Sequence, residues 1–229
     1  WEDPVEDFAL ADIANMSQIS VASIYGGGIT PAERDEMISA SIKRAAFPLW
    51  LVGHSEYINA RRPSLTISDI WQALEYMIDK QKKNVKFVML DYLQQISFAD
   101  CKTRDMREGF VQIMTAVKSL TNAFGCGVMI GSQVKREITE RKDRQPIITD
   151  AAETSNYEYT CDGVISLQIP HKSIAINTPF LKDGSGREVK VTKRLLVAKP
   201  IKQKKGATGQ TFCFDAVYET NSIKKYTGE

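Results

Sequence analysis

The sequence predicts an α/β protein in which a mostly parallel sheet is flanked by helices and ends in an antiparallel hairpin edge. Two observations lead to this prediction. Through most of the chain, short apolar segments alternate with longer segments whose apolar residues recur at helical spacing, which is the order of elements that builds a parallel sheet. Toward the C-terminus, apolar and polar residues alternate on both sides of turn sequences, as they do in antiparallel strands.

Composition limits the class of protein. The chain has 229 residues, of which 43% are hydrophobic and 25% charged, so it can bury a substantial core and is neither disordered nor fibrous. The net charge of +2 is too small to demand an anionic partner. The four cysteines form no Cys-x-x-Cys pair, which argues against a zinc site and a disulfide framework. No apolar run approaches the length of a bilayer span, so we expect a cytoplasmic protein without membrane contact.

The N-terminal part of the chain predicts two helices and a strand. Residues 4–16 carry apolar side chains at roughly helical spacing. A second helix is predicted over residues 31–47, because Thr30 supplies an N-cap hydroxyl and Glu33 is placed to close a capping box. The apolar residues 49–52 then predict a short buried strand.

The middle of the chain predicts two helix–strand units. A helix beginning near Ser68 has the apolar period of a helix that lies on a sheet. Residues 85–90 are nearly all apolar and predict a strand buried on both faces, which ends at Asp91. A long amphipathic helix closed by a glycine leads to the next strand, residues 128–130, which ends in Gly131-Ser132-Gln133.

The C-terminal part predicts strands joined by turns. A short polar helix is expected near residues 149–155, before a third strand over residues 163–169. The glycine-rich residues 182–186 predict a turn between alternating segments. Residues 189–197 and 211–217 are predicted to be antiparallel strands.

Asp91 is the first candidate site residue. A carboxylate at the carboxyl end of a parallel strand is well placed to hold Mg²⁺ or its water, although an aspartate there often only caps the next turn. The residues that follow favour the metal: the sequence hydrophobic-Asp91-Tyr92-Leu93-Gln94 resembles the Walker B segment of DnaB-type replicative DNA helicases, a group of RecA-like ATPases.

Further segments resemble this family in the same order along the chain. Trp1-Glu2-Asp3-Pro4 resembles the segment whose glutamate is the catalytic base, which assigns that role to Glu2. Leu65-Thr66 matches the family's helix start. Ser132-Gln133, with Arg136 beyond it, resembles the segment whose glutamine senses the γ-phosphate. The resemblance covers essentially the whole chain, with gaps mainly in residues 170–195.

A lysine-rich segment near the C-terminus also resembles the family. Residues 202–209 are similar to Lys-Gln-Arg-Asn-Gly-x-x-Gly, whose lysine and arginine reach the γ-phosphate bound by the neighbouring subunit. Lys202 takes the lysine position. Lys204 replaces the arginine, which keeps the charge and loses the planar bidentate fork. Without the family resemblance, this segment is typical of a solvated basic hairpin.

One family motif is absent. The sequence has no Gly-x-x-x-x-Gly-Lys-Ser/Thr, and Gly26-Gly27-Gly28 lacks the lysine and hydroxyl that bind phosphate and Mg²⁺. The family places this loop just upstream of the strand that ends at Glu2. We therefore expect residues 1–229 to form one RecA-like ATPase domain that lacks its phosphate-binding loop and strand. We also expect this chain alone to bind little ATP.

Two basic loops are candidates for binding single-stranded DNA, because family loops at these places face the central channel of a hexamer. A solubilising surface is the alternative. The candidate residues are Lys102, Arg104 and Arg107 in the first loop, and Lys135, Arg136, Arg141, Lys142 and Arg144 in the second.

The resemblance implies ATP-dependent DNA unwinding at the replication fork by a ring helicase. Its cofactors would be ATP and Mg²⁺, and its partners single-stranded DNA, further copies in a hexameric ring, and primase or a helicase loader. The implied catalytic residues are Glu2, Asp91, Gln133, Lys202 and Lys204, with Asp91 as metal ligand. The alternatives are a degenerate, non-hydrolysing DNA-binding or assembly module, and another RecA-like ATPase of recombinase or clock type.

Overall fold

A computed structural model describes residues 4–53, 65–103, 105–134, 145–150, 157–182 and 186–227. The helices among them are α1 (Val5–Ser17), α2 (Val21–Gly26), α3 (Pro31–Ala46), α4 (Ile67–Glu75), α5 (Met106–Phe124) and α6 (Tyr157–Thr160). The strands are β1 (Phe87–Leu90), β2 (Gly127–Ile130), β3 (Gly163–Gln168), β4 (Pro179–Lys182), β5 (Glu188–Lys190), β6 (Leu195–Gln203), β7 (Phe212–Val217) and β8 (Ser222–Lys225).

The chain forms two compact units. The first is built from Arg61–Ser166 and Pro200–Gly209, and the second from Glu2–Ala60, Leu167–Lys199 and Gln210–Glu229. Strand β6 contributes residues to both units, since the division falls within it. The predicted site residues that the structure describes all belong to the first unit.

The helices predicted before β2 are confirmed, and their starts follow the sequence signals. Thr30 Oγ1 accepts a hydrogen bond from the Glu33 N–H at 3.2 Å and begins α3 with the predicted capping box. Thr66 begins α4 in the same way, accepting from the Asp69 N–H at 3.1 Å. Helix α5 ends at Phe124, and the next residue, Gly125, has a φ of 61°, the left-handed conformation of a helix C-cap.

Strands β1 and β2 form a parallel pair that positions the candidate site. Their register runs from Phe87↔Gly127 to Leu90↔Ile130, so both strands end at the same edge. Helix α5 connects them and buries its apolar face in the core of the first unit. The buried residues of this core are Ile70, Leu74, Leu90, Leu93, Ile96, Phe110, Ile113, Met114, Val117 and Leu120.

The prediction that residues 85–90 are buried on both faces is wrong. Val88 and Leu90 pack on the core of the first unit, whereas Phe87 and Met89 are 56% and 70% exposed. Successive side chains of a strand point to opposite faces, so one covered face buries only every second residue. Within the described residues, the β1–β2 sheet has only two strands and a core on one face.

Residues 49–52 do not form the predicted buried strand. They have no regular secondary structure, and Val52 is 60% exposed. An apolar run becomes a strand only where a neighbouring strand offers hydrogen bonds to its backbone, and no described strand pairs with this segment.

The C-terminal strands are antiparallel, as predicted. Strands β6 and β7 pair from Leu195↔Asp215 to Ala198↔Phe212, and β8 continues the sheet beyond β7. Strands β4 and β5 form a second antiparallel pair. The distribution of strands differs from the prediction in two respects. The strand predicted over residues 189–197 is divided between β5, which pairs with β4, and β6, which belongs to another sheet. In addition, β3 lies beside β6 in the order β3-β6-β7-β8 and not beside β1 and β2.

One further expectation concerns the residues before β3. The polar helix expected near residues 149–155 is a 3₁₀ turn over Ile148–Asp150, and residues 151–156 lie outside the described part of the chain. All four cysteines are free thiols. None of the helices described here has the length and hydropathy needed to cross a membrane.

Candidate functional site

The ends of β1 and β2 are joined beyond their last paired residues. The Gly131 N–H donates to the Leu90 carbonyl at 3.0 Å, and the Leu93 N–H donates to the Gly131 carbonyl at 2.9 Å. A Cβ at Gly131 would lie 3.3 Å from Tyr92 Cβ and 3.6 Å from the Asp91 carboxylate. A residue without a side chain therefore lets the β2 end pass close to Asp91.

The two polar residues predicted to face the nucleotide follow these strand ends. Asp91 comes directly after β1, and Gln133 comes three residues after β2. Both are exposed. The Gln133 N–H donates to Gln94 Oε1 at 3.3 Å, so the segments that carry Asp91 and Gln133 are linked by a side chain. This contact of Gln94 could not be predicted from the sequence, where its only local signal is its place in the Asp-Tyr-Leu-Gln motif.

The donors at this edge fit one end of a magnesium nucleotide. Mg²⁺ in nucleotide sites is commonly held by one or two carboxylates together with phosphate oxygens and water, and Asp91 supplies such a carboxylate. The described residues contain no cluster of three or more His, Cys, Asp or Glu side chains that would hold a metal alone. The sequence has no backbone cradle for the phosphates, because it lacks the Gly-Lys-Ser/Thr loop. The residues present thus fit a metal ion bound to phosphate.

Lys202 and Lys204 form a second group at the end of β6. Lys202 Nζ donates to the Cys161 carbonyl at 2.7 Å and is partly buried. Lys204 Nζ lies 3.3 Å from Asp162 Oδ1, and its side chain is 70% exposed. The turn that follows requires a glycine, because Gly206 has a φ of +135°.

Asp162 carries ion pairs to two lysines. Lys118 Nζ on α5 lies 2.6 Å from Asp162 Oδ2, and Lys204 Nζ approaches the other oxygen. The hydrogen bond from Lys118 lowers the pKa of Asp162, and Lys204 lowers it further. Lys118 therefore helps to fix the carboxylate that in turn contacts Lys204.

Replacing Lys118 with glutamine is expected to raise the pKa of Asp162 toward its ordinary value. A carboxyl whose folded pKa is lowered stabilises the fold above its unfolded pKa of about 4, and this contribution is lost as the pH falls through the folded pKa. In Lys118→Gln, the stabilising contribution of Asp162 should therefore be smaller, and as the pH falls it should be lost at a higher pH than in the wild type. An NMR titration of the carboxyl carbon measures the shift. Lys80→Gln, an exposed lysine after α4, is the control, and an unchanged Asp162 pKa in Lys118→Gln would contradict the ion pair.

Two of the predicted DNA-binding residues are described, and both are exposed. Lys102 donates its backbone N–H to Gln112 Oε1 at 3.0 Å, which ties the loop to α5. Arg107 lies in the first turn of α5. The other candidates lie outside the described residues: Arg104, Lys135, Arg136, Arg141, Lys142 and Arg144, together with the predicted base Glu2.

A family model of the DnaB-like helicase C terminal domain matches residues 1–220. The chain belongs to this family. The family resemblance deduced from the motifs is thereby confirmed, and with it membership of a helicase family that acts in DNA replication.

Curated relatives of this DnaB-like domain are replicative helicases. The chain is 26% identical to replicative DNA helicase DnaB of Mycoplasma pneumoniae over 132 residues, which are 57% of this chain and 26% of that protein. It is 30% identical to DnaB of Rickettsia bellii over 129 residues, 55% of this chain and 25% of that protein. The matched segment thus spans about a quarter of these relatives.

Solved structures share the fold. One of them, an ATPase domain, superposes with a TM-score of 0.79 at 16% identity, covering 98% of this chain and 72% of that chain. A DnaB-like replicative helicase, solved with its interactions with primase, gives a TM-score of 0.76 at 16% identity over 95% of this chain and 47% of that chain. These similarities confirm the predicted RecA-like α/β fold.

Proposed function

We propose that this DnaB-like domain is the ATPase motor of a ring-shaped replicative helicase, which couples ATP hydrolysis to movement along single-stranded DNA and so unwinds the replication fork. One observation supports the proposal above all: Asp91 and the segment that carries Gln133 lie at the same edge of the parallel β1–β2 pair, joined through Gly131 and Gln94. Ligands of open α/β sheets bind at this edge.

The chain's own residues have distinct roles in this proposal. Asp91 would hold Mg²⁺, which when bound neutralises charge on the phosphates. Gln133 would donate an N–H of its side-chain amide to the γ-phosphate and so distinguish ATP from ADP. Glu2 would accept the proton of the attacking water.

Lys202 and Lys204 would act across a subunit interface. A lysine ammonium supplied by one subunit stabilises negative charge on the phosphates bound by its neighbour, as an arginine finger does. This arrangement requires a ring or filament of identical subunits, and we propose the hexamer implied by the family. Hydrolysis would then depend on assembly.

The basic loops would follow the DNA backbone. Lys102 and Arg107 are exposed on and beside the first loop. Since these stretches contain charges and no aromatic side chains, binding would rest on phosphate contacts and weaken as salt rises. Primase or a helicase loader is the proposed protein partner, in line with the structural neighbour solved with primase.

A degenerate, non-hydrolysing DNA-binding or assembly module is the second candidate. One feature of this sequence favours it: Lys204 takes the place of the family's arginine, which keeps the charge and loses the planar bidentate fork. A recombinase or clock-type ATPase is disfavoured by the family match.

Phosphate release from Mg-ATP tests the proposal. The product of the complete gene should hydrolyse ATP faster with single-stranded DNA, and the stimulation should shrink between low and moderate salt. The 229-residue chain, measured beside it, should release little phosphate. An assembled complete gene product that hydrolyses no ATP with or without DNA would overturn the motor in favour of the degenerate module.

A further inference from the structure

Gln94 is a motif residue to which the proposed mechanism gives no role. It follows Asp91 by three residues and lies on the 3₁₀ turn Leu93–Gln95 after β1. Its side chain is partly buried and reaches across to the end of β2. The contacts there involve the segment that carries Gln133.

Both polar atoms of the Gln94 amide are used. Its Nε2 donates to Ser132 Oγ at 3.2 Å, and its Oε1 accepts from the Gln133 N–H at 3.3 Å. The reverse orientation of the amide would set its NH₂ group against the Gln133 N–H, which is also a donor. The backbone N–H of Gln133 therefore fixes the orientation of the amide.

The turn that carries Gln94 is held by other bonds. The Leu93 N–H donates to the Gly131 carbonyl, the Gln95 N–H to the Tyr92 carbonyl at 3.0 Å, and the Ile96 N–H to the Leu93 carbonyl at 3.1 Å. These backbone bonds maintain the turn without the Gln94 side chain. The Gln94 amide instead extends the β1–β2 ladder beyond its last pair, Leu90↔Ile130, to Gln133.

We propose that Gln94 is a positioning residue that holds Gln133 in register with the strand end carrying Asp91. This inference rests on the proposed ATPase function. If Gln133 reads the γ-phosphate while Asp91 holds the metal, the spacing between these two groups must match the nucleotide. Misplacement of a reacting or sensing group by about 1 Å costs on the order of 100-fold in rate. A side chain that bridges the two segments maintains that spacing.

Amide hydrogen exchange on the 229-residue chain measures the bridge without any nucleotide. Gln94→Leu keeps the size of the side chain and removes the acceptor, so exchange at the Gln133 N–H should become about tenfold faster, the change expected for one lost hydrogen bond. Gln95→Leu is the matched control, because the neighbouring Gln95 donates to the Tyr92 hydroxyl at 3.0 Å. Equal exchange at Gln133 in wild type and Gln94→Leu would overturn the proposal.

Steady-state hydrolysis by the complete gene product then tests the consequence. Gln94→Leu should lower kcat about 10- to 100-fold and change KM by less than about threefold, since it displaces a group that acts on bound nucleotide. In a Gln133→Ala background, Gln94→Leu should lower kcat no further, because the group that it positions is already gone. A merely structural role would lower kcat in both backgrounds.

The outcomes separate this inference from the function on which it rests. If the wild-type gene product hydrolyses no ATP, the proposed function fails, and the role of Gln94 in it fails too. If the wild type is active and Gln94→Leu has the wild-type kcat, or the losses from Gln94→Leu and Gln133→Ala add, only the positioning role of Gln94 is overturned.

Discussion

Asp91→Asn is expected to lower ATP hydrolysis by the complete gene product by about 100- to 1000-fold. The substitution keeps the shape of the side chain and removes the charge that would hold Mg²⁺. Asp91 is exposed at the end of β1, and asparagine has nearly the same shape as aspartate, so the amide introduces no steric clash. Phosphate release measures the rate, and a thermal melt checks that the fold is retained.

Asp79→Asn is the control for this prediction. Asp79 is an exposed aspartate in the π-helical turn that follows α4, and the same change of charge there should leave hydrolysis within about twofold of wild type. A rate in Asp91→Asn above about a tenth of the wild-type rate would show that Asp91 is not the metal ligand.

The position of Asp91 relative to Gln133 could be predicted from the sequence because every signal it depends on is local. A short apolar segment before each residue predicts a strand, and the long amphipathic helix between them requires a parallel connection. Parallel strands joined in this way end at the same edge. The structure contains this arrangement in β1, α5 and β2.

Burial was harder to predict than strand formation. Phe87 and Met89 are as apolar as Val88 and Leu90, so the uniform apolar run does not reveal which face is covered. Exposure depends on which elements pack on the sheet, and this information is not contained in the strand itself. Residues 49–52 are also apolar, but no strand in the described part of the chain pairs with them, and their own sequence does not reveal this.

Contacts between distant side chains could not be predicted at all. Gln94 and Ser132 are 38 residues apart, and Lys118 and Asp162 are 44 residues apart. No spacing rule links such positions, because their proximity is a result of the assembled fold. The motif indicated that Gln94 matters and gave no indication of what it touches.

Of the two lysines proposed to act in trans, Lys204 is the better placed to reach a neighbouring subunit. Its ion pair with Asp162 is exposed, and exposed pairs contribute little to stability, so this pair opens readily. Lys202, by contrast, is partly buried and donates to the Cys161 carbonyl of its own chain. In the proposed ring, Lys204 is therefore the lysine that would exchange its ion pair with Asp162 for a contact with the neighbouring subunit.

Lys204→Ala is expected to lower hydrolysis by the assembled gene product about 1000-fold, the effect typical of losing a charge supplied across an interface. Lys205→Ala is the matched control, since Lys205 is the next residue of the same turn and is also exposed. It should retain nearly the wild-type rate. Equal losses in the two variants would indicate a general effect of basic charge in this turn.

Mixed assemblies distinguish action in trans from action in cis. Asp91→Asn subunits keep Lys204, and Lys204→Ala subunits keep Asp91. An interface therefore contains both groups when a Lys204→Ala subunit binds the nucleotide and an Asp91→Asn subunit supplies the lysine. With equal amounts, random mixing and independent interfaces, about a quarter of the wild-type rate should return, although each variant alone is nearly inactive. If Lys204 acts on the nucleotide of its own subunit, no interface contains an intact site and the mixture stays as inactive as its components.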